Sequence, residues 1–156
     1  MAKRVLFVCL GNICRSPTAE AVFRQRVQAA GLASQIDIDS AGTGDWHIGK
    51  APDSRSQQFA ARFDYDLSAL RARQVSAEDF WQFDHILAMD RANLNDLLAM
   101  QPQGSRAKLG LFLDYSEAEE DEVPDPYYGG DAGFLRVLEL VESASDGLLQ
   151  ALRDAP

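Results

Sequence analysis

The feature that most limits the possible folds is the passage from residues 4–9 to Ser16 and Pro17. Residues 4–9 (RVLFVC) form a near-continuous apolar run, the pattern of a strand buried on both faces, and such strands occur in parallel sheets covered by helices. Ser16, Pro17 and Glu20 then supply an N-cap, a first-turn proline and a first-turn negative charge. Ala19, Val22, Phe23, Val27 and Ala30 recur on one helical face, and Gly31 follows as a stop. Strand, short loop and amphipathic helix make half of a βα unit, so the chain is read as α/β with this strand central.

The rest of the chain continues the alternation. Ile36 and Ile38 alternate with Asp37 and Asp39 in a second strand whose half-polar pattern suits an edge. It runs into the glycine-rich stretch 40–49 and a helix over 54–63. A third strand over 84–89 leads to a helix over 93–100, and a fourth over 107–113 to a long acidic loop. A helix over about 132–152 closes the chain. No repeat or low-complexity segment interrupts this order, and 156 residues with 46% hydrophobic and 25% charged side chains suit one domain over 1–156. In open α/β sheets the working loops gather beyond the carboxyl ends of the strands. That rule brings residues 9–15, 45–47, Asp90 and 123–130 to one edge.

A net charge of −9 opposes non-specific binding to nucleic acid or an anionic membrane, so no such partner is expected and any phosphate site must be locally positive. Residues 5–10 are too short for a signal-peptide core, and no apolar stretch approaches the ~20 residues of a membrane span, which points to a soluble, cytoplasmic protein. The two cysteines, Cys9 and Cys14, cannot staple a long loop or complete a set of four metal ligands. His47 and His85 stand alone, so neither a metal nor another cofactor is expected.

The chemistry concentrates in Cys9-Leu10-Gly11-Asn12-Ile13-Cys14-Arg15-Ser16. A phosphoryl group under attack needs donors around its equatorial oxygens, and a loop curling onto a helix N-terminus points backbone N–H groups inward. Arg15 adds a planar fork, Gly11 permits the backbone turn, and Asn12 tolerates a left-handed conformation or bonds across the loop. The same donors favour the thiolate, the form in which cysteine attacks. Read blandly, Cys9 is a buried strand-end cysteine, but the loop that follows favours a nucleophile. Ser16 has two readings, a donor to the sulfur that eases its departure or simply the N-cap. Cys14 also has two, a reversible disulfide partner for Cys9 or a plain buried thiol.

An ester oxygen leaves more readily as a neutral alcohol, so an acid is required. Asp125, fixed between Pro124 and Pro126, supplies one on a loop after the fourth strand, against the alternative of a rigid surface turn. Trp46, His47, Tyr127 and Tyr128 fall on loops of the same edge, where the aromatics either wall a slot for a flat ring or pack down on the sheet. Residues 117–122 read as a solvated acidic loop. Residues 44–50 imitate a nucleotide-binding Walker loop, but Ala51 replaces the required Ser or Thr, and Trp46 and Ile48 are bulky where backbone must approach phosphate.

On these residues the chain resembles the low-molecular-weight protein tyrosine phosphatases over essentially its whole length. Residues 8–17 resemble that family's phosphate loop, Ser40-Ala41-Gly42-Thr43 its second strand end, and Asp125-Pro126-Tyr127 its acid loop. The ordered set is specific, whereas C-x5-R alone also occurs in rhodanese-like phosphatases. The resemblance implies a flavodoxin-like, three-layer domain with four parallel strands and helices on both faces. It implies Cys9 as nucleophile, Arg15 as clamp, Asp125 as acid and then base, and Asn12, Ser16 and Ser40 as supports of the loop. Phosphotyrosine proteins would be the substrates and inorganic phosphate the product, with a monomer expected. Ile13 resembles the tyrosine-directed members, since a threonine there is typical of phosphoarginine phosphatases; a non-catalytic phosphate-binding module is the other alternative. Trp46 resembles aromatic-walled members rather than those of bacterial capsule systems. One departure is Leu70, where many relatives carry a histidine that helps fix the loop asparagine, so the bonds holding Asn12 are expected to differ. Arsenate reductases of this fold need two further cysteines downstream, and none follows Cys14.

Overall fold

A computed structural model describes residues 3–126 and 130–154, which leaves Tyr127, Tyr128 and Gly129 outside the described residues. Four strands, β1 (Lys3–Cys9), β2 (Ile36–Gly42), β3 (His85–Ala88) and β4 (Lys108–Leu111), pair in the order β2-β1-β3-β4, all parallel. The apolar run at the start is therefore internal, and the half-polar second strand is an edge, as its pattern suggests. Successive β1 side chains feed opposite faces. Val5, Phe7 and Cys9 enter a core with helices α1 (Arg15–Ala29), α2 (Ser54–Ala61) and α5 (Gly130–Asp154). Leu6 and Val8 enter a second core with the short helix α3 (Asp79–Gln82) and with α4 (Arg91–Met100). Phe7 is the keystone of the first face, its ring edge-on to Phe23 at 5.7 Å and to Phe112 at 4.9 Å. Truncating such a residue to alanine costs about 3–5 kcal/mol.

Helix boundaries follow local chemistry. α1 closes at Gly31, φ 75°, with Gly31 N–H on the Gln28 carbonyl and Leu32 N–H on that of Val27. α2 is capped by Asp53, whose Oδ2 accepts from the N–H of Arg55 and Ser56. Asp90 caps α4 through Asn93 N–H at 2.8 Å, which starts that helix at Arg91, ahead of the sequence reading. α5 presents Phe134, Val137, Leu138, Val141, Ala144 and Leu148 inward at helical spacing. β4 is shorter than its apolar run because its one partner, β3, ends at Ala88 opposite Leu111; a 3-10 turn, Phe112–Tyr115, takes over.

The start of α1 corrects two expectations and bears out a third. The helix begins at Arg15 with Cys14 at the cap position, so Ser16 is not the N-cap and its hydroxyl is used elsewhere. Pro17, the third helical residue, does lie in the first turn, where N–H groups have no helical acceptor to lose. Glu20 is no first-turn surface charge but a carboxylate only 4% exposed.

Candidate active site

The loop between β1 and α1 is shaped from outside. Its carbonyls point away from the site: Cys9 O accepts Thr43 N–H, Leu10 O accepts Gly44 N–H, Ile13 O accepts Asp53 N–H and Cys14 O accepts Thr18 N–H. In a planar trans peptide the N–H opposes the C=O, so the amides of Leu10, Gly11, Cys14 and Arg15 face the other way. The left-handed residue is Asn12, φ 56°, rather than Gly11. Glycine at 11 leaves room for His47, since a Cβ there would lie 2.9 Å from His47 Cδ2 and push that ring aside. Gly42, paired with Cys9 in the sheet, is required more strictly, because a Cβ would meet the Leu10 carbonyl oxygen at 2.7 Å.

Behind the sulfur runs a buried polar chain whose donors can be assigned in order. Arg73 N–H donates to Asn12 Oδ1 at 3.0 Å, so the Asn12 amide nitrogen faces inward and gives its two hydrogens to Ser16 Oγ at 2.8 Å and Ser40 Oγ at 3.0 Å. Ser40, already accepting, donates to Glu20 Oε1 at 2.7 Å, and Arg24 holds Glu20 Oε2 at 2.7 Å. Ser16, also accepting, has one hydrogen left; Cys9 Sγ lies at 3.0 Å and the Ala41 carbonyl at 3.4 Å, so the sulfur is the better acceptor. Cys9 Sγ also receives Asn12 N–H at 3.3 Å. The sulfur-donor reading of Ser16 thus holds over the N-cap reading. With leucine at 70, Asn12 is fixed by a backbone amide, and Arg73 is itself anchored by Asp79, in a two-pronged pair at 3.0 Å, and by Asp39.

Cys9, Leu10, Gly11, Ile13, Cys14 and Arg15 line one side of a cavity of about 220 Å³. Trp46 and His47 form another wall, and Asp125, Asp53 and Phe134 complete it. Trp46 is 65% exposed and covers Gly44 rather than packing into the core. Arg15 is buried, its Nη1 donating to Asp90 at 2.7 Å and to the Val123 carbonyl at 3.0 Å, so it faces this cavity rather than bulk solvent. Burial works against its charge, but the Cys9 sulfur and then Asp90 and Asp125 hold the guanidinium above its ordinary value. Cys14 is the opposite case: burial first, against a 2.8 Å contact with Ser56 Oγ and with Cys9, Asp53 and Asp125 adding, pushes its thiol up to about 12.

Of the residues expected from sequence, Cys9 through Ser16 and Ser40 assemble here with Trp46, His47 and Asp125, while Tyr127 and Tyr128 lie outside the described residues. The imitation Walker loop leads into no helix at Lys50; α2 begins only at Ser54, and Trp46 and Ile48 are exposed. Sequence reasoning missed Glu20, Arg73, Asp53 and Phe134. The i, i+4 pair Glu20 and Arg24 and the Asp-Ser-Arg-Ser helix start at 53 were the available signals. Among the described residues no cluster of three His, Cys, Asp or Glu side chains could hold a metal, and no helix is long and apolar enough to cross a membrane.

Comparison with known proteins agrees with this construction. The profile of the family described as low molecular weight phosphotyrosine protein phosphatase matches residues 4–155. The low molecular weight phosphotyrosine protein phosphatase of Schizosaccharomyces pombe is 52% identical over 133 residues, 84% of this chain and 85% of that protein. A protein tyrosine phosphatase of Entamoeba histolytica, crystallised with Hepes in its active site, superposes with a TM-score of 0.94 at 40% identity, covering 98% of both chains. A Drosophila arginine phosphatase superposes with a TM-score of 0.90 at 33% identity, covering 97% of this chain and 99% of its own. A match this long, on a chain whose fold and cysteine loop had already converged on one chemistry, makes the protein a member of the low molecular weight phosphotyrosine protein phosphatase family.

Proposed function

We propose that the protein hydrolyses phosphotyrosine in proteins, with Cys9 as nucleophile, Arg15 as transition-state clamp and Asp125 as acid and then base. The observation that carries the reading is a sulfur at the foot of a cavity, met by the Asn12 amide and the Ser16 hydroxyl, beside a buried arginine. In the first step the Cys9 thiolate forms an S–P bond as the P–O bond breaks in line, and the Asp125 proton passes to the departing phenolic oxygen. In the second, water forms a P–O bond, its proton goes to Asp125, the S–P bond breaks, and inorganic phosphate leaves. The backbone amides of Leu10, Gly11, Cys14 and Arg15 and the Arg15 guanidinium take the equatorial oxygens. Asn12, Ser16 and Ser40 hold the loop, and Trp46 and His47 flank the ring. We further assign a single domain over 1–156, a monomer, and a reducing, cytoplasmic setting, the last in keeping with the free thiols of Cys9 and Cys14.

Phosphoarginine is the second substrate to test, because the Drosophila arginine phosphatase has so similar a fold. Ile13 lines the cavity, where an aliphatic side chain suits a phenyl ring better than a guanidinium. Para-nitrophenyl phosphate should turn over in excess chelator, be inhibited by vanadate, and fail in Cys9→Ser. Turnover retained in that variant would refute the nucleophile. Parallel phosphotyrosine and phosphoarginine peptides decide the substrate, and Ile13→Thr should shift preference toward arginine.

A further inference from the structure

The edge of the sheet opposite the catalytic loop carries a second concavity, of about 450 Å³, at the amino-terminal ends of the strands. Lys3 from β1, His85 from β3 and Lys108 from β4 line it together with Arg106 and the Trp81 indole. Most arginines of this acidic chain are held in ion pairs, yet among the described residues Lys3, Arg106 and Lys108 make none. The one carboxylate on the wall, Asp84, has Oδ2 engaged by the Arg4 N–H at 2.8 Å. Three cations against one carboxylate leave the groove positive on a chain whose net charge is −9. Like charges brought together without a counter-charge repel, and an anion would relieve that repulsion.

Two further features specify the anion's shape. Trp81 is 58% exposed although it stands beside the buried rings of Phe80 and Phe83, and positive-φ Gly104 lies against its edge, leaving an indole face open. His85 Nδ1 is shielded from solvent and has no hydrogen-bond partner. Burial first, and then Lys108 and Lys3, hold the imidazole below its ordinary value against the opposing charge of Asp84. We propose that this groove binds a flat aromatic ring carrying a carboxylate or phosphate, with the ring on Trp81 and the anion between Lys3, Arg106 and Lys108. β1 separates it from Cys9 by six residue steps, ~20 Å of extended chain, so both sites can be filled at once.

The probe is 2-naphthoate, which has no ester to hydrolyse, added to protein whose catalytic cavity is saturated with vanadate. Indole N–H signals in ¹H–¹⁵N spectra report binding; the chain has two tryptophans, and Trp46→Phe assigns them. A saturable shift of the Trp81 signal is expected, with affinity at least about fivefold weaker in Lys3→Gln/Lys108→Gln and for the neutral naphthalene-2-carboxamide. Turnover of para-nitrophenyl phosphate by the double variant serves as the control for folding. The proposal is overturned if the Trp81 signal does not move, if it moves only without vanadate, or if the carboxamide or the double variant titrates as tightly as the charged probe on the parent protein.

Discussion

Ser16→Ala tests the assignment of hydroxyl hydrogens behind the nucleophile. The substitution removes the 3.0 Å contact with Cys9 Sγ and strands one hydrogen of the Asn12 amide, which otherwise rests 2.8 Å from Ser16 Oγ. A hydrogen bond to a charged group is worth about 1.5–3 kcal/mol, and this one matters most when the thiolate is expelled from the phosphocysteine, because sulfur regains its charge there. At 1.36 kcal/mol per decade, that step slows by roughly 10- to 150-fold. Attack suffers less, since a less stabilised thiolate is also a better nucleophile. Stopped-flow traces with para-nitrophenyl phosphate should therefore show a burst of nitrophenol close to one equivalent, followed by a slow steady rate. kcat should fall by more than kcat/KM. The stranded amide hydrogen adds a stability loss of about 1–3 kcal/mol, or ~2–12 °C in Tm, so the assay is run well below the variant's transition. A kcat within twofold of the parent's, or equal losses in kcat and kcat/KM with no burst, would refute the reasoning.

Asp90→Asn keeps an acceptor for Asn93 N–H but removes the charge that holds Arg15 Nη1, so vanadate inhibition should weaken by roughly 5- to 30-fold while the urea midpoint changes little. Gly42→Ala forces a Cβ against the Leu10 carbonyl oxygen and should cost about 1–3 kcal/mol in urea unfolding while raising KM; an unchanged KM would mean that the loop is not braced there. Cys14, pushed up to about 12, stays a thiol at neutral pH, so iodoacetate followed by peptide mass spectrometry should label Cys9 and spare Cys14. Because the folded Cys14 thiol lies above its ordinary 9.0, its share of stability is full below about pH 9 and is lost as pH rises toward 12; Cys14→Ala should flatten that alkaline decline in urea titrations.

The sequence made the strand, loop and helix around Cys9 legible because each obeys a local rule: two-faced apolarity in residues 4–9, a donor-rich loop, a 3.6-residue stripe in α1. Ser40, expected only through family resemblance as a support, does hold Asn12. What escaped were contacts between segments distant in the chain. Nothing local in Arg73 announces that its N–H reaches Asn12, 61 positions away, or that its guanidinium grips Asp39 and Asp79. Glu20 was misjudged for a related reason: beside Ser16 and Pro17 it reads as a helix-start charge, and only the approach of β2 buries it against Ser40. Ser16 suits both an N-cap and a sulfur donor by residue type, and the start of α1 at Arg15 decides between them.

The placement of β1 between two other strands separates the resilience of the two halves of the chemistry. Amides of Val5 to Val8 are locked by neighbours on both sides and fully covered, so they should exchange with deuterium only when the whole molecule opens. Asp125 and Pro124 are exposed beyond the sheet, on a segment that sits outside the strand ladder and is tied to β3's end through Val123 N–H on the Met89 carbonyl, so it should loosen at smaller cost. Under mild denaturation, esters of reluctant leaving groups should stop being cleaved first, while activated esters that depart without a proton continue to be consumed until the sheet itself gives way.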